Sequence, residues 1–277
     1  MRGADRQVAP ADRPTVDGRT AQAGGSGGGR VALVTGASSG LGRALSVELT
    51  DRGVTVIGVA RRPDSLAATG ALCAGGLFHP LTGDVRDAQR LRDIVSQTEQ
   101  RIGPIDILIN NAAVYRRHDF LAVEAEAVVD ELAINLNGYV NAASAVLPGM
   151  AARGRGRIVN VSSFAGGEPL AGSLGYSVSK AAVRALTPAL AAETRARLPD
   201  IVISEWLPGV LRTGMGLPDS LDPATAAVWG ANLALDNNPA LHGAVFLRDR
   251  QLLPPRGTAQ RLKDLLLMRL PVQPLRL

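Results

Sequence analysis

Aromatic side chains are scarce in this chain of 277 residues: four Phe, three Tyr and two Trp, or 3%. A core with so few rings must be filled by Ala, Val, Leu and Ile, and 46% apolar residues suffice for one large domain. The single cysteine, Cys73, cannot close an internal disulfide, which suits a reducing compartment. The three histidines, His79, His118 and His242, stand far apart without metal-ligand spacing, so no metal site is expected. No stretch reaches the ~18 apolar residues that a membrane span needs, and the N-terminus lacks the apolar segment of a secretory signal. A cytoplasmic protein is the expectation.

Charge of one sign is also missing where it would matter. The chain carries a net +5, but residues 1–30 hold five Arg against three Asp, and residues 251–277 hold four Arg and one Lys against one Asp. Those ends account for +2 and +4, which leaves −1 on everything between. With no basic stripe and no interleaved aromatics, a nucleic-acid partner is not expected.

Residues 1–29 are rich in Pro, Arg and Gly and end in AGGSGGG, the composition of a disordered leader. Order begins at Arg30. VALVT (31–35), VTVIGVA (54–60), GLFHPL (76–81), IDILIN (105–110), RIVNVS (157–162), IVISEWL (201–207) and GAVFLR (243–248) read as strands. Helical or loop segments separate them. The alternation predicts an α/β fold: one doubly wound, Rossmann-like, mostly parallel sheet of seven strands with helices on both faces, spanning 30–250. The tail, 251–277, contains RLKDLLLMRL (261–270), which has the pattern of an amphipathic helix. It would dock on its own or a partner subunit, with a membrane surface as the alternative.

Two constellations carry chemistry. The first is the turn after the first strand, where Gly36, Gly40 and Gly42 open a helix. Glycines there let the backbone approach a pyrophosphate placed over the helix N-terminus. Taken alone, the turn could equally be structural. At the end of the second strand, where an NAD-preferring enzyme places a carboxylate, stand Ala60, Arg61 and Arg62. Guanidinium groups in that place accept a 2′-phosphate, which favours NADP(H) over NAD(H). The second constellation runs from Gly154 to Lys180. Tyr176 and Lys180 lie about one helical turn apart, so they share a helix face. By itself such a pair usually means packing plus a solvated charge. A cation beside a phenol nevertheless lowers its pKa from ~10 toward the working range, and Ser163 offers a hydroxyl for the same substrate oxygen. Strand alternation should turn Ser162 the other way.

These residues, taken in order, resemble the short-chain dehydrogenase/reductase family. TGASSGLG (35–42) is similar to its TGxxxGxG cofactor turn, Asp84-Val85 to the pair flanking the adenine, and NNAA (110–113) to its NNAG. AINLNG (133–138) resembles the segment bearing an active-site Asn, and Ser163 precedes Tyr176 by the family's thirteen residues. YSVSK matches YxxxK, and PGVLRT (208–213) resembles the PGxxxT loop that closes over the nicotinamide. The resemblance implies a catalytic set of Asn135, Ser163, Tyr176 and Lys180. Tyr176 would be the general acid and Lys180 would lower its pKa and bind the nicotinamide ribose. Ser163 would steady the substrate oxygen, and Asn135 would hold a water linking Lys180 to solvent. The implied cofactor contacts are Gly36, Ser38, Ser39, Gly40, Leu41, Gly42, Arg61, Arg62, Asp84, Val85, Asn111, Tyr176, Lys180, Pro208, Gly209, Val210 and Thr213.

The implied activity is an NADP(H)-dependent, reversible reduction of a small carbonyl compound to an alcohol, in a homodimer or homotetramer. A non-catalytic NADP(H) sensor or scaffold, or a dehydratase or epimerase of the same family, stands as the alternative. The chain departs from the pattern at Ala113, where Gly is usual, and at Pro188, which falls inside the helix bearing Tyr176 and Lys180. A proline there removes a backbone donor, but two turns beyond Lys180 it should spare the pair. In the family that helix commonly forms a subunit interface. The segment after Thr213, GMGLPDSLDPAT, is short for a substrate lid. Residues 164–174 and 215–221 are small or aliphatic without a charged clamp, which favours an uncharged, apolar carbonyl substrate.

Overall fold

The computed structural model describes residues 29–253 and 273–277. The expected leader and the helix expected at 261–270 lie outside the described residues. Eight strands form one sheet in the order β3-β2-β1-β4-β5-β6-β7-β8. They are β1 (Val31–Thr35), β2 (Thr55–Ala60), β3 (Phe78–Thr82), β4 (Ile107–Asn110), β5 (Gly156–Val161), β6 (Ile201–Leu207), β7 (Val245–Leu247) and β8 (Arg250–Leu252). β1 to β7 pair in parallel, and β8 returns antiparallel on β7. Seven strands were expected. The eighth is three residues of polar, unpatterned sequence after a tight turn in which Arg248 takes φ 54°, so no alternation announces it. Leu275 and Leu277 fold back to bond Gln251 and Asp249 on that edge.

The central strands are buried throughout because both faces of the sheet are covered. Ala32 and Val34 pack with Leu41, Leu45 and Leu49 of α1 (Gly40–Asp51) and with the alanines of α7 (Pro223–Leu235). Val31 and Leu33 face Leu91, Ile94 and Val95 of α3 (Ala88–Arg101) and Ala142, Val146 and Met150 of α5 (Gly138–Arg153). A short helix, α2 (Pro63–Gly70), follows β2, and α4 (Ala125–Leu132) leads through a π-helical turn, Ala133–Asn137, into α5. Arg157 of β5, wholly buried, donates to Val202 O, Ser204 Oγ and Leu233 O. Burial lowers its pKa to about 9. The carbonyl at the C-terminal turn of α7 stands where a carboxylate partner would.

α6 (Leu174–Arg195) runs unbroken through Pro188. The ring lies on the exposed side of the helix, so the Arg184 carbonyl that loses its donor is on the solvent side. No described helix is long and apolar enough to cross a membrane.

Candidate active site

The strand order reverses between β1 and β4, and in such sheets ligands lie in the crevice past the carboxyl ends at that point. The turn after β1 is tied to β4 there. Thr35 Oγ1 accepts from the backbone of Asn111 and Ala112 at 3.0 and 3.1 Å, and Asn111 Nδ2 donates to Thr35 O. Gly36 takes φ +72°, and a Cβ on it would stand 2.8 Å from Ala112 Cα. A Cβ on Gly42 would stand 2.2 Å from Gly36 O and 2.6 Å from Asn111 Nδ2. Gly42→Ala is therefore expected to destabilise the fold by about 2 kcal/mol and to weaken dinucleotide binding. Denaturant unfolding and a fluorescence titration with NADPH would show both losses.

Ser38 is buried, Ser39 and Gly40 reach the surface, and Leu41 packs inward. Ser39 is the N-cap of α1 and makes no side-chain cap, and the first turn carries no acid, so neither competes for the helix N–H groups that an anion could use. At the end of β2 both Arg61 and Arg62 are exposed. Asp84 is gripped by Arg86, which holds its carboxyl low with help from the charge of Arg61, while Val85 is buried against Gly138. In the loop after β6, Pro208 is buried, Gly209 takes φ +92° and Val210 is exposed. A Cβ on Gly40 would lie 3.2 Å from Thr213 Cγ2, so this loop reaches the glycine turn. Beyond it, Arg212 pairs with Asp222 and its N–H bonds Leu221 O, which pins 214–221 as a compact loop. The cradle a Cβ would fill, the uncapped helix start and the two guanidinium groups fit a dinucleotide.

Ser163, at the end of β5, sits with its hydroxyl against the Tyr176 phenol and also accepts from Ala165 N at 3.2 Å. Ser162 turns instead toward Glu205 of β6, whose charge it favours, although neither Ser162 Oγ nor Glu205 Oε1 has a hydrogen-bond partner among the described residues. Lys180 is buried and donates to Val161 O at 2.8 Å and to Tyr139 Oη at 3.1 Å. Its Nζ is 5.7 Å from the Tyr176 ring centroid. Burial lowers its pKa to about 7, against the pull of Glu205.

One expectation differs from this geometry. Lys180 was expected to bring the Tyr176 phenol down. Burial raises it instead, Ser163 lowers it, and Tyr115 and Glu131 raise it further. The ammonium is held by Val161 and Tyr139, so its hydrogen bonds are spent away from the phenol. The side chain of Asn135 has protein partners: Oδ1 accepts from Val114 N at 2.7 Å, and Nδ2 donates to Val114 O and Ser179 Oγ. The π-helical turn directs it there, so it fastens the segment after β4 to α6.

Four side chains around Tyr176 and Lys180 carry no motif and were missed. Tyr115 lies over Tyr176 with ring centroids 4.9 Å apart. Glu131 of α4 is buried against Gly175 and accepts from Arg116 N, and burial pushes its pKa up. Glu205 is likewise buried and pushed up by burial. Tyr139 follows Asn135 by four residues, and only the fold shows that its hydroxyl meets Lys180.

Comparison with known proteins gives one consistent family. The family model described as short chain dehydrogenase matches residues 30–222. The chain is 33% identical over 221 residues to 3-oxoacyl-acyl-carrier-protein reductase FabG of Vibrio harveyi, covering 79% of this chain and 89% of that one. It is 36% identical over 199 residues to the L-xylulose reductase of Cavia porcellus, covering 72% and 78%. An actinorhodin polyketide ketoreductase structure with NADPH superposes with a TM-score of 0.74 at 28% identity, over 79% of this chain and 95% of the other.

Proposed function

The chain belongs to the short-chain dehydrogenase/reductase family, and from that membership we infer that it reduces a carbonyl compound to its alcohol, reversibly, with NADPH. The observation that carries the reading is that Ser163, Tyr176 and Lys180 gather at the carboxyl end of β5, on the same edge of the sheet as the glycine turn. The dinucleotide, when bound, supplies the hydride.

Tyr176 gives its proton to the substrate oxygen. Its raised pKa keeps the phenol protonated at neutral pH, the form a donor must have. Ser163 donates its hydroxyl hydrogen to the same oxygen as negative charge builds there. Lys180, 5.7 Å from the ring, acts only through space on the phenolate that proton donation leaves on Tyr176, without outweighing burial, and does so in its ammonium form. Asn135 orders the wall of the crevice through Val114.

Preference for NADPH is supported by Arg61 and Arg62, exposed past β2 with no carboxylate beside Ala60. Replacing both with Ala is expected to weaken NADPH at least about tenfold more than NADH, since charge-assisted bonds to a phosphate are lost only in the first. Titration of the two coenzymes would measure it, and equal weakening would remove the 2′-phosphate argument.

For the substrate, Phe164, Leu170, Leu174, Met215 and Leu217 are exposed on the segments bordering the site. They favour an uncharged, apolar carbonyl compound. Val140 of α5 and Val178 of α6, also exposed, are suited to a homodimer or homotetramer. A panel of aliphatic and aromatic ketones with NADPH tests the activity. Equal amounts of coenzyme consumed and alcohol formed are expected. Binding of NADPH without any turnover would mark a sensor, and turnover without net consumption would mark a dehydratase or epimerase.

A further inference from the structure

We propose that Tyr139 is a positioning residue for Lys180: its phenol oxygen, together with the Val161 carbonyl, fixes the ammonium beside Tyr176. The inference rests on the role given to Lys180 above. Tyr139 is 1% exposed, and a Phe would fill the same space. Its hydroxyl is nevertheless used on both sides: it donates to Val161 O at 2.8 Å and accepts from Lys180 Nζ at 3.1 Å. Because the phenol hydrogen points to Val161, the lone pair faces the lysine. The ring adds its face, 5.0 Å from Nζ. Among the described residues, Tyr139 and Val161 are the hydrogen-bond acceptors that Lys180 has.

The other groups facing Lys180 do not replace them. Glu205 of β6 acts on it through space and is itself pushed toward the neutral acid by burial, with Arg184 at 3.9 Å drawing on the same carboxylate. Ser162, just past β5, turns toward Glu205. Tyr176, on the same helix, presents its ring at 5.7 Å. Tyr139 stays a neutral phenol throughout, since burial drives its pKa well upward. Part of the hold on the Lys180 ammonium therefore comes from α5, four residues past Asn135, beside the Val161 carbonyl of β5.

Tyr139→Phe keeps the ring and removes the acceptor. Losing one of two bonds to a charged group should move the alkaline limb of the kcat–pH profile for carbonyl reduction down by about one pH unit. Turnover near pH 8 would fall about tenfold, while near pH 6 it stays within about twofold, and the KM of the carbonyl does not change. The rise of the full chain's thermal midpoint with pH, measured without added dinucleotide, should begin about one unit lower. An unmoved limb with a lowered midpoint would make Tyr139 a packing residue and overturn the proposal. Tyr176→Phe separates the two levels: if it keeps full rate, the reading of the site fails. If it is inactive while the limb of Tyr139→Phe does not move, only the role of Tyr139 fails.

Discussion

Tyr176→Phe is expected to bind NADPH almost as the parent does and to lose at least ~10²-fold in turnover, the contribution of a positioned general acid. The substitution takes one oxygen. The ring that lies 4.9 Å from Tyr115 remains, and Ser163 still accepts from Ala165 N, so neighbouring groups keep their places. Lys180 keeps its partners, Val161 O and Tyr139 Oη, because neither depends on the Tyr176 hydroxyl. The thermal midpoint should stay within a few degrees. Single-turnover reduction at saturating NADPH, beside a coenzyme titration, separates the chemical step from binding. Full rate in the variant would remove Tyr176 from the mechanism.

Lys180→Met should show the opposite pairing of effects: at least ~10²-fold less turnover with a more stable fold. Holding an ammonium in this crevice costs stability, as its fall from 10.5 to about 7 shows. Removing it leaves few polar groups stranded, because Tyr139 still donates to Val161 O. Discounting the lost hydrogen bonds, a gain of about 2 kcal/mol, or about 5 °C in thermal midpoint, is expected at neutral pH.

The pH dependence has a definite sign. Between about 7 and 10.5 the unfolded chain binds the Lys180 proton and the folded chain does not, so stability rises with pH through that window. Below about 7 both states are charged and the full cost is present. The methionine variant should lack this rise. Its midpoint should exceed the parent's most at and below neutral pH and approach it near pH 10. A variant less stable than the parent at pH 7 would mean that the lysine's hydrogen bonds outweigh its desolvation.

The sheet was legible because its central strands, β1, β2, β4, β5 and β6, are buried on both faces and read as short apolar runs between helices. β1 and β6 fall on VALVT and IVISEWL without adjustment. β8 has three polar-to-apolar residues and was invisible, since its place depends on a turn at Arg248 and on Leu275 returning to the edge. Pro188 stood out as a lost backbone donor because propensity is counted residue by residue, whereas the cost depends on which side of the helix the freed carbonyl faces.

The sequence by itself determined the glycine turn, the succession of strands and helices along the chain and the spacing that puts Tyr176 and Lys180 on one helix face. These are local matters of backbone sterics and periodicity, readable over a few residues. Only the tertiary structure decided where the ammonium of Lys180 goes, what Asn135 holds, and which way the pKa of Tyr176 moves. Each depends on burial and on partners distant in the chain, Tyr139 and Val161 for Lys180, Val114 for Asn135, Glu131 and Tyr115 for Tyr176. Desolvation is a property of the packed surroundings, and no spacing along the chain encodes it.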